Sequence, residues 1–338
     1  MNWASKLTVA FFANLKISAK HYRMNSLNQL VQSIARRTLA LALIVSAPLV
    51  VSAAEIGQTF ASPEAAVAAL TSAASAKDTN ALGKLFGSAA ADLENPDRVQ
   101  ATNDLNAFVA AFSQTNRIVR ESDSKCVLEI GDDLWPFPVP IVKQGGRWFF
   151  DGEAGKDTLL TRRIGRNELR TLDSVRAYVE AQREYASKDR DGDEVLEYAQ
   201  KVHSAPGKKD GLFWPSDLDG ETSPLGPLVA EAQDRGYRRG SREAGAEPEP
   251  FHGYYFKILT AQGKSAPGGK YNYIINSNMI GGFALVAWPA AYDESGIMTF
   301  IVNQQGRVYQ KDLGLKTGKI AAAMKEYNPD QTWTFSPN

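Results

Sequence analysis

The stretches Phe283-Ala-Leu-Val-Ala-Trp-Pro289 and Ile297-Met-Thr-Phe-Ile-Val-Asn303 decide the fold of the C-terminal half of this chain. Both are short, apolar and rich in β-branched and aromatic residues, which is the pattern of buried strands. Gln304-Gln305-Gly306 follows the second stretch and is typical of a tight turn. We therefore predict a hairpin that joins Ile297–Asn303 to a strand over Arg307–Leu313.

The first of these strands is apolar on both faces. Alternate side chains point to opposite sides of a sheet. One side of this strand carries Phe283, Leu285 and Ala287, and the other side carries Ala284, Val286 and Trp288. We expect either that the N-terminal domain covers the second face, or that this face is a contact surface.

A helix is predicted before these strands. Asn167 is a suitable N-cap, and Leu172, Val175 and Val179 share one helical face. Residues 187–250 are polar and broken by glycine and proline, which predicts long irregular loops. Further strand and helix patterns follow at Gly253–Leu259 and near Lys319–Tyr327. Residues 156–338 are thus predicted to form an α+β domain in which a helix packs on an antiparallel sheet.

The sequence pattern of the N-terminal half predicts helices followed by strands. Ser62-Pro63-Glu64 and Asp78 are helix starts, and Leu105 begins an apolar stripe with helical spacing. Lys125–Ile130 has a strand pattern, and the alternating prolines of residues 135–141 indicate an edge strand. Residues 55–155 are therefore predicted to form a small α+β domain with an antiparallel sheet, by analogy a cone of the nuclear-transport-factor-like kind.

The N-terminus has the composition of a secretory signal peptide. Residues 1–54 contain six Lys or Arg and no Asp or Glu, and the apolar run Leu39–Val51 precedes Ser52-Ala53-Ala54. This order predicts cleavage after Ala53 or Ala54, export to the periplasm and no stable membrane anchor afterwards. Met24 is an alternative start, and the choice between general and twin-arginine export stays open.

Charge and cysteine content exclude several classes of protein. The chain has 38 basic and 38 acidic side chains, which argues against a nucleic-acid partner. Its one cysteine, Cys126, excludes an intrachain disulfide or a multi-cysteine metal site, and its strand context predicts a small buried residue.

Several segments carry a resemblance to a known family. They are Arg162–Leu169, Tyr178–Tyr185, Pro250–Phe256, Met279–Pro289 and Gly296–Asn303. In these segments the chain resembles an exported bacterial family catalogued as domain of unknown function 2950, over nearly all of the sequence after residue 54. The resemblance implies a secreted bacterial protein without an assigned activity, and it supplies no catalytic residues.

The second half also resembles the globular heads of bacterial pseudopilins. The shared motifs are Ala181-Gln-x-x-Tyr185, Gly253-Tyr-x-Phe256, Phe283-x-Leu-x-Ala-x-Pro289 and Thr299-Phe-x-Val-x-x-x-Gly306. A pilin subunit needs its leader and apolar helix contiguous with the head, whereas a whole domain intervenes in this chain. The resemblance therefore implies a shared head fold rather than filament assembly.

Three residues are candidates for ligand binding. His252 lies beside Phe251 and a predicted strand, Tyr254 begins that strand, and Trp288 is an aromatic side chain suited to stacking. A general-base role for His252 needs a carboxylate within reach, and a hydrogen-bonded structural histidine is the competing interpretation. We predict no catalytic residue.

Asp189, Asp191 and Asp193 place three carboxylates at alternating positions, as a calcium loop would need. An EF-hand is excluded, because Glu194 and Gln200 occupy the positions that its glycine and its closing glutamate require. An irregular calcium loop and a solvated acidic turn stay open, and no other cofactor is predicted.

Together these observations favour an exported, non-enzymatic binding or assembly module; they do not identify its partner, for which another envelope protein is a candidate. The alternative is a periplasmic hydrolase or other enzyme with a pocket in the N-terminal domain or around His252.

Overall fold

A computed structural model describes the chain over four ranges, residues 56–190, 192–215, 220–237 and 250–336. The predicted signal peptide lies outside the described residues, and so does Asp191. The described residues form helices and mainly antiparallel sheets, which confirms the α+β class. They fall into two compact units, the first of residues 56–94 and 104–158 and the second of residues 95–103 and 159–336.

Within the described residues the N-terminal region contains four helices, three of which begin where a side chain accepts a hydrogen bond from a free backbone N–H group. They are α1 (Pro63–Ser75), α2 (Thr79–Phe86), α3 (Ala90–Leu93) and α4 (Arg98–Gln114), with a 3₁₀ turn at Gly87–Ala89. Ser62 Oγ accepts from the backbone N–H of Ala65 at 3.2 Å, and Asp78 Oδ1 accepts from that of Ala81 at 2.9 Å. Both predicted caps are confirmed.

The first unit contains one antiparallel sheet. Its strands are β1 (Asn116–Ser122), β2 (Lys125–Ile130), β3 (Trp135–Pro136), β4 (Ile141–Gln144) and β5 (Arg147–Phe150). The order is β1-β2-β4-β5, and the short β3 pairs with β2 beside β4. The proline-rich segment therefore contributes only two residues to the sheet, as the missing N–H groups of proline require.

A single long helix, α5 (Gly152–Tyr185), follows the first sheet. It was predicted to begin at Asn167, which was wrong. Asp151 Oδ1 accepts from the backbone N–H of Ala154 at 3.1 Å and so caps the helix 16 residues earlier. Asn167 lies inside the helix, where its side chain donates to the carbonyl of Ser295.

The second unit contains a five-stranded antiparallel sheet. Its strands are β6 (Tyr254–Leu259), β11 (Ala284–Pro289), β12 (Met298–Asn303), β13 (Tyr309–Asp312) and β15 (Thr334–Phe335). Their order in the sheet is β15-β13-β12-β11-β6. The predicted hairpin is confirmed, since β12 and β13 pair antiparallel and Gly306 adopts φ +74° between them.

Short strands complete the second unit. They are β7 (Ala261–Gln262), β8 (Tyr271–Asn272), β9 (Ile274–Ile275), β10 (Asn278–Met279) and β14 (Glu326–Tyr327). β9 and β10 form a hairpin, and β7 pairs antiparallel with β8 and parallel with β14.

The second apolar face of β11 is covered within the second unit, by α7 (Thr317–Ala323). Lys257 Nζ, which shares the face of Val286, donates at 2.6 Å to the carbonyls of Ala322 and Met324. The expectation that the N-terminal domain supplies this cover was therefore wrong. The other face carries Leu285 and Ala287, both buried.

The stretch predicted to be wholly irregular, residues 187–250, contains a helix, α6 (Gly226–Asp234). Pro227 lies in its first turn, and Leu228 and Val229 are half-buried against the core of the second unit. This packing stabilises a helix that is too short to persist alone in water.

Candidate functional site

His252 lies in the turn that leads into β6, and its backbone is in the left-handed region with φ +53°. Gly253 follows with φ +76°, and the Phe251 N–H donates to the carbonyl of Tyr254 across the turn. This turn directs the His252 side chain into the second unit, where the residue is only 5% exposed.

His252 belongs to a group of polar side chains, all buried except the half-buried Arg170, here called the His252 cluster. Its members are His252, Arg170, Tyr237, Asp97 and Gln100. Nδ1 of His252 lies 3.4 Å from both Arg170 Nη1 and the Tyr237 hydroxyl. The Tyr237 hydroxyl donates to Asp97 Oδ2 at 2.6 Å, and Arg170 Nη1 donates to Gln100 Oε1 at 2.7 Å.

Local structure positions each side chain of the cluster. Asp97 caps α4, because its Oδ1 accepts from the backbone N–H of Gln100 at 2.9 Å. Arg170 projects from α5, and Tyr237 follows the end of α6. The cluster therefore ties four separate segments of the second unit to one another.

The His252 cluster keeps its histidine neutral. Burial, followed by the positive charges of Arg170, Arg235 and Arg166, lowers the pKa of His252 to about 3. Burial and the hydrogen bond to Asp97 raise the pKa of Tyr237. A neutral imidazole that is almost fully enclosed has the environment of a structural histidine, the competing interpretation of the sequence.

The structure separates Tyr254 and Trp288. Tyr254 is fully buried beside Phe300, and its hydroxyl donates to the carbonyl of Met298 at 3.0 Å. Trp288 is paired in register with Tyr255, the next residue along β6. Because adjacent residues of a strand face opposite ways, Tyr254 and Trp288 lie on opposite faces of the sheet.

Hydrogen bonds from its own backbone N–H groups and from Asn278 hold the acidic turn after α5. Asp189 accepts from the N–H groups of Gly192 and Glu194, and Asp193 accepts from the Val195 N–H and from Asn278 Nδ2. Among the described residues, no three His, Cys, Asp or Glu side chains form a group that could hold a metal ion. Asp191 lies outside that set, so calcium binding here stays a prediction.

The first unit contains a groove, here called the β1 groove, with a volume of about 470 Å³, whose lining residues sequence reasoning did not identify. It is lined by one face of α1, the end of α4 and the start of β1, through Glu64, Val67, Ala68, Thr71, Ser72, Ser75, Phe112, Asn116 and Ile118. The β-branched pair Ile118-Val119 before the Asp123-Ser124 turn was the available signal for β1.

β1 is an edge strand beside this groove. It pairs with β2 on one side, and no other described residue forms a backbone hydrogen bond with Asn116–Ser122. Ile118 pairs with the buried Leu128, so it points to the covered face of the sheet, where it also lines the groove. The groove thus combines an apolar floor with free backbone donors and acceptors.

No helix in the described part of the chain is long and apolar enough to cross a membrane.

The fold and these sites define an α+β protein of two units, one with an internal polar cluster and one with an open groove. A family model described as "Protein of unknown function (DUF2950)" matches residues 57–335, and the chain belongs to this family. A search of curated proteins and a search of solved structures each found no match. The resemblance to pseudopilin heads is not shown by these comparisons.

Proposed function

We propose that this chain is an exported protein of the bacterial envelope and that it binds an extended segment of another envelope protein without catalysing a reaction. The observation that carries this proposal is the β1 groove, in which an unpaired strand edge runs along an apolar cleft. The His252 cluster supports a non-enzymatic role, because its polar atoms are directed to one another.

Export is supported by the N-terminal sequence and by the state of the single cysteine. Residues 1–54 have the basic, then apolar, then small-residue order of a signal peptide. Cys126 is fully buried, and burial raises the pKa of its thiol. Because the thiolate is the form that reacts, such a cysteine survives in an oxidising compartment.

The edge of β1 determines the form of the bound segment. Alternate N–H and C=O groups of an edge strand point away from its partner strand and can pair with an added strand. β1 contains seven residues, and its pairing with β2 is regular from Asn116 to Arg120. We therefore expect an extended peptide that adds one strand to the sheet.

The walls of the groove determine the side chains of the bound segment. Val67 and Ile118 are apolar, so alternate residues of the peptide should be apolar too. Hydrogen bonds from the backbone N–H of Glu64 itself and from Ser62 lower the pKa of the Glu64 carboxyl. Glu64 is therefore charged at neutral pH, and a basic residue in the peptide would complement it.

The test uses peptides selected for binding from a displayed library, with two variants of α1 as probes. Ala68→Arg fills the groove, whereas Ala65→Arg places the same side chain at another exposed position of α1 that does not line it. We expect selected peptides to lose at least tenfold in affinity for Ala68→Arg and to bind Ala65→Arg as they bind the wild type.

Hydrogen exchange supplies the second readout. Bound peptide should slow exchange of the backbone amides of Asn116–Ser122, because an added strand pairs with them. Peptides that bind Ala68→Arg as well as the wild type, or that leave exchange in β1 unchanged, would contradict the proposal.

A further inference from the structure

We propose that the second unit attaches reversibly to an anionic lipid bilayer through a surface formed by Leu315, Lys316, Lys319 and Ile320, here called the Leu315 patch. This inference rests on residues of the second unit and does not depend on the β1 groove.

The apolar part of the patch is presented by ordered backbone. Leu315 is 92% exposed and lies in the 3₁₀ turn Gly314–Lys316, which leads directly into α7. Thr317 and Ala321, one turn apart, are fully buried and fix α7 on the sheet. Ile320 is 40% exposed. The two apolar side chains are therefore held in water by their anchored neighbours.

The charged part of the patch is basic. Lys316 and Lys319 are exposed, and neither forms an ion pair with any acidic side chain in the described residues. The nearest acid along the chain, Asp312, is three residues before Leu315 and accepts from the Gly314 N–H and the Tyr292 hydroxyl. The patch thus offers two uncompensated cations beside an exposed leucine.

Another exposed leucine lacks this combination of charge and exposure. Leu196 is 59% exposed, but the acidic residues Glu194 and Glu197 flank it in the sequence. An anionic surface would repel that region and attract the Leu315 patch. This difference in charge favours an anionic bilayer as the occupant of the patch.

The physical chemistry of a bilayer surface fits both components. Lysines beside an anionic membrane are attracted to its headgroups, and an exposed leucine gains free energy by entering the boundary with the acyl chains. Residues 55–338 carry 32 basic and 38 acidic side chains, so their net charge is negative. An anionic membrane would therefore repel the chain as a whole, and the chain would approach it with the basic patch facing the lipid.

The test measures co-sedimentation of residues 55–338 with vesicles of phosphatidylglycerol and phosphatidylcholine, against vesicles of phosphatidylcholine alone. This form contains every residue that the structure describes and lacks the apolar run Leu39–Val51, which would itself enter lipid. We expect binding to the anionic vesicles only, and we expect it to weaken as salt rises, because screening weakens attraction between exposed charges.

Variants then locate the binding surface. Leu315→Ser should weaken vesicle affinity by about tenfold, and the pair Lys316→Glu and Lys319→Glu by at least that much. Leu196→Ser removes another exposed leucine, outside the patch, and should leave vesicle affinity unchanged. The melting temperatures of all variants should match the wild type, because the altered side chains lie in solvent.

Three outcomes would overturn the proposal. The first is absence of binding to the anionic vesicles, or equal binding to the neutral ones. The second is undiminished binding of Leu315→Ser. The third is self-association of the chain in analytical ultracentrifugation that Leu315→Ser abolishes, which would identify a second copy of the chain as the occupant.

Discussion

The Tyr237 hydroxyl donates a hydrogen bond to Oδ2 of Asp97, which lies 140 residues earlier in the chain, at a distance of 2.6 Å. Both residues are buried, and Asp97 also caps α4. The bond therefore connects the start of one helix to the end of another in the interior of the second unit. A buried carboxylate needs such a donor, because an unpaired charge is costly to remove from water.

The first prediction concerns this bond. Tyr237→Phe should lower the free energy of unfolding by about 1–3 kcal/mol, since it removes one donor to a buried carboxylate. The matched control is Tyr292→Phe, which removes an exposed bond to Asp312 and should cost less than about 0.5 kcal/mol. Urea denaturation measures both. Equal effects of the two changes would show that burial does not determine the strength of this contact.

The second prediction concerns pH. The folded state lowers the pKa of His252 from 6.5 to about 3, so the unfolded chain binds the extra proton first as pH falls. Above about pH 6.5 the imidazole is neutral in both states and does not lower the free energy of unfolding. Between about pH 6.5 and about pH 3 only the unfolded chain is protonated, so the free energy of unfolding falls by up to about 1.4 kcal/mol per pH unit.

His252→Asn tests this pH dependence of stability, because asparagine tolerates the left-handed backbone at this position. Its free energy of unfolding should fall less steeply below pH 6.5 than that of the wild type. The control His203→Asn, at an exposed position, should keep the wild-type slope. If His252→Asn has that slope too, the imidazole is not held neutral by burial.

The third prediction compares two glycines. A Cβ at Gly296 would overlap the Tyr254 hydroxyl oxygen, and Tyr254 is fully buried. Gly296→Ala should therefore cost about 1–3 kcal/mol through overpacking. Gly318, inside α7, has no atom within 4 Å of such a Cβ, so Gly318→Ala should stabilise the chain by about 0.5–1 kcal/mol. Thermal unfolding measures both, and a harmless Gly296→Ala would contradict the close packing of Tyr254.

The fourth prediction concerns processing. The small residues after Leu39–Val51 predict cleavage after Ala53 or Ala54. N-terminal sequencing of the protein recovered from the periplasm of a bacterial host should begin at Ala54 or Glu55. A product that retains the apolar run would show that the segment is an anchor and not a cleaved signal.

Among the candidate residues, sequence reasoning located His252 but not its surroundings. The residues predicted to bind a ligand with it were Tyr254 and Trp288, and the structure instead surrounds it with Arg170, Tyr237 and Asp97 from distant segments. The β1 groove was missed for the same reason. Its lining combines residues of α1, α4 and β1, none of which has a functional pattern of its own.

The sequence by itself determined features that depend on neighbouring residues. Ser62 and Asp78 cap helices because their side chains reach N–H groups three residues ahead, and Gly306 makes the hairpin because its backbone permits positive φ. Alternation along β11 likewise showed that both of its faces are apolar.

Only the tertiary structure decided which elements meet. The cover of β11 comes from α7, and the partner of Asp97 comes from the end of α6. The physical reason is that an apolar face or a buried carboxylate specifies the chemistry of the segment that must contact it. It does not specify where in the chain that segment lies. Which segment satisfies that requirement depends on the path of the backbone and on the packing of the whole unit.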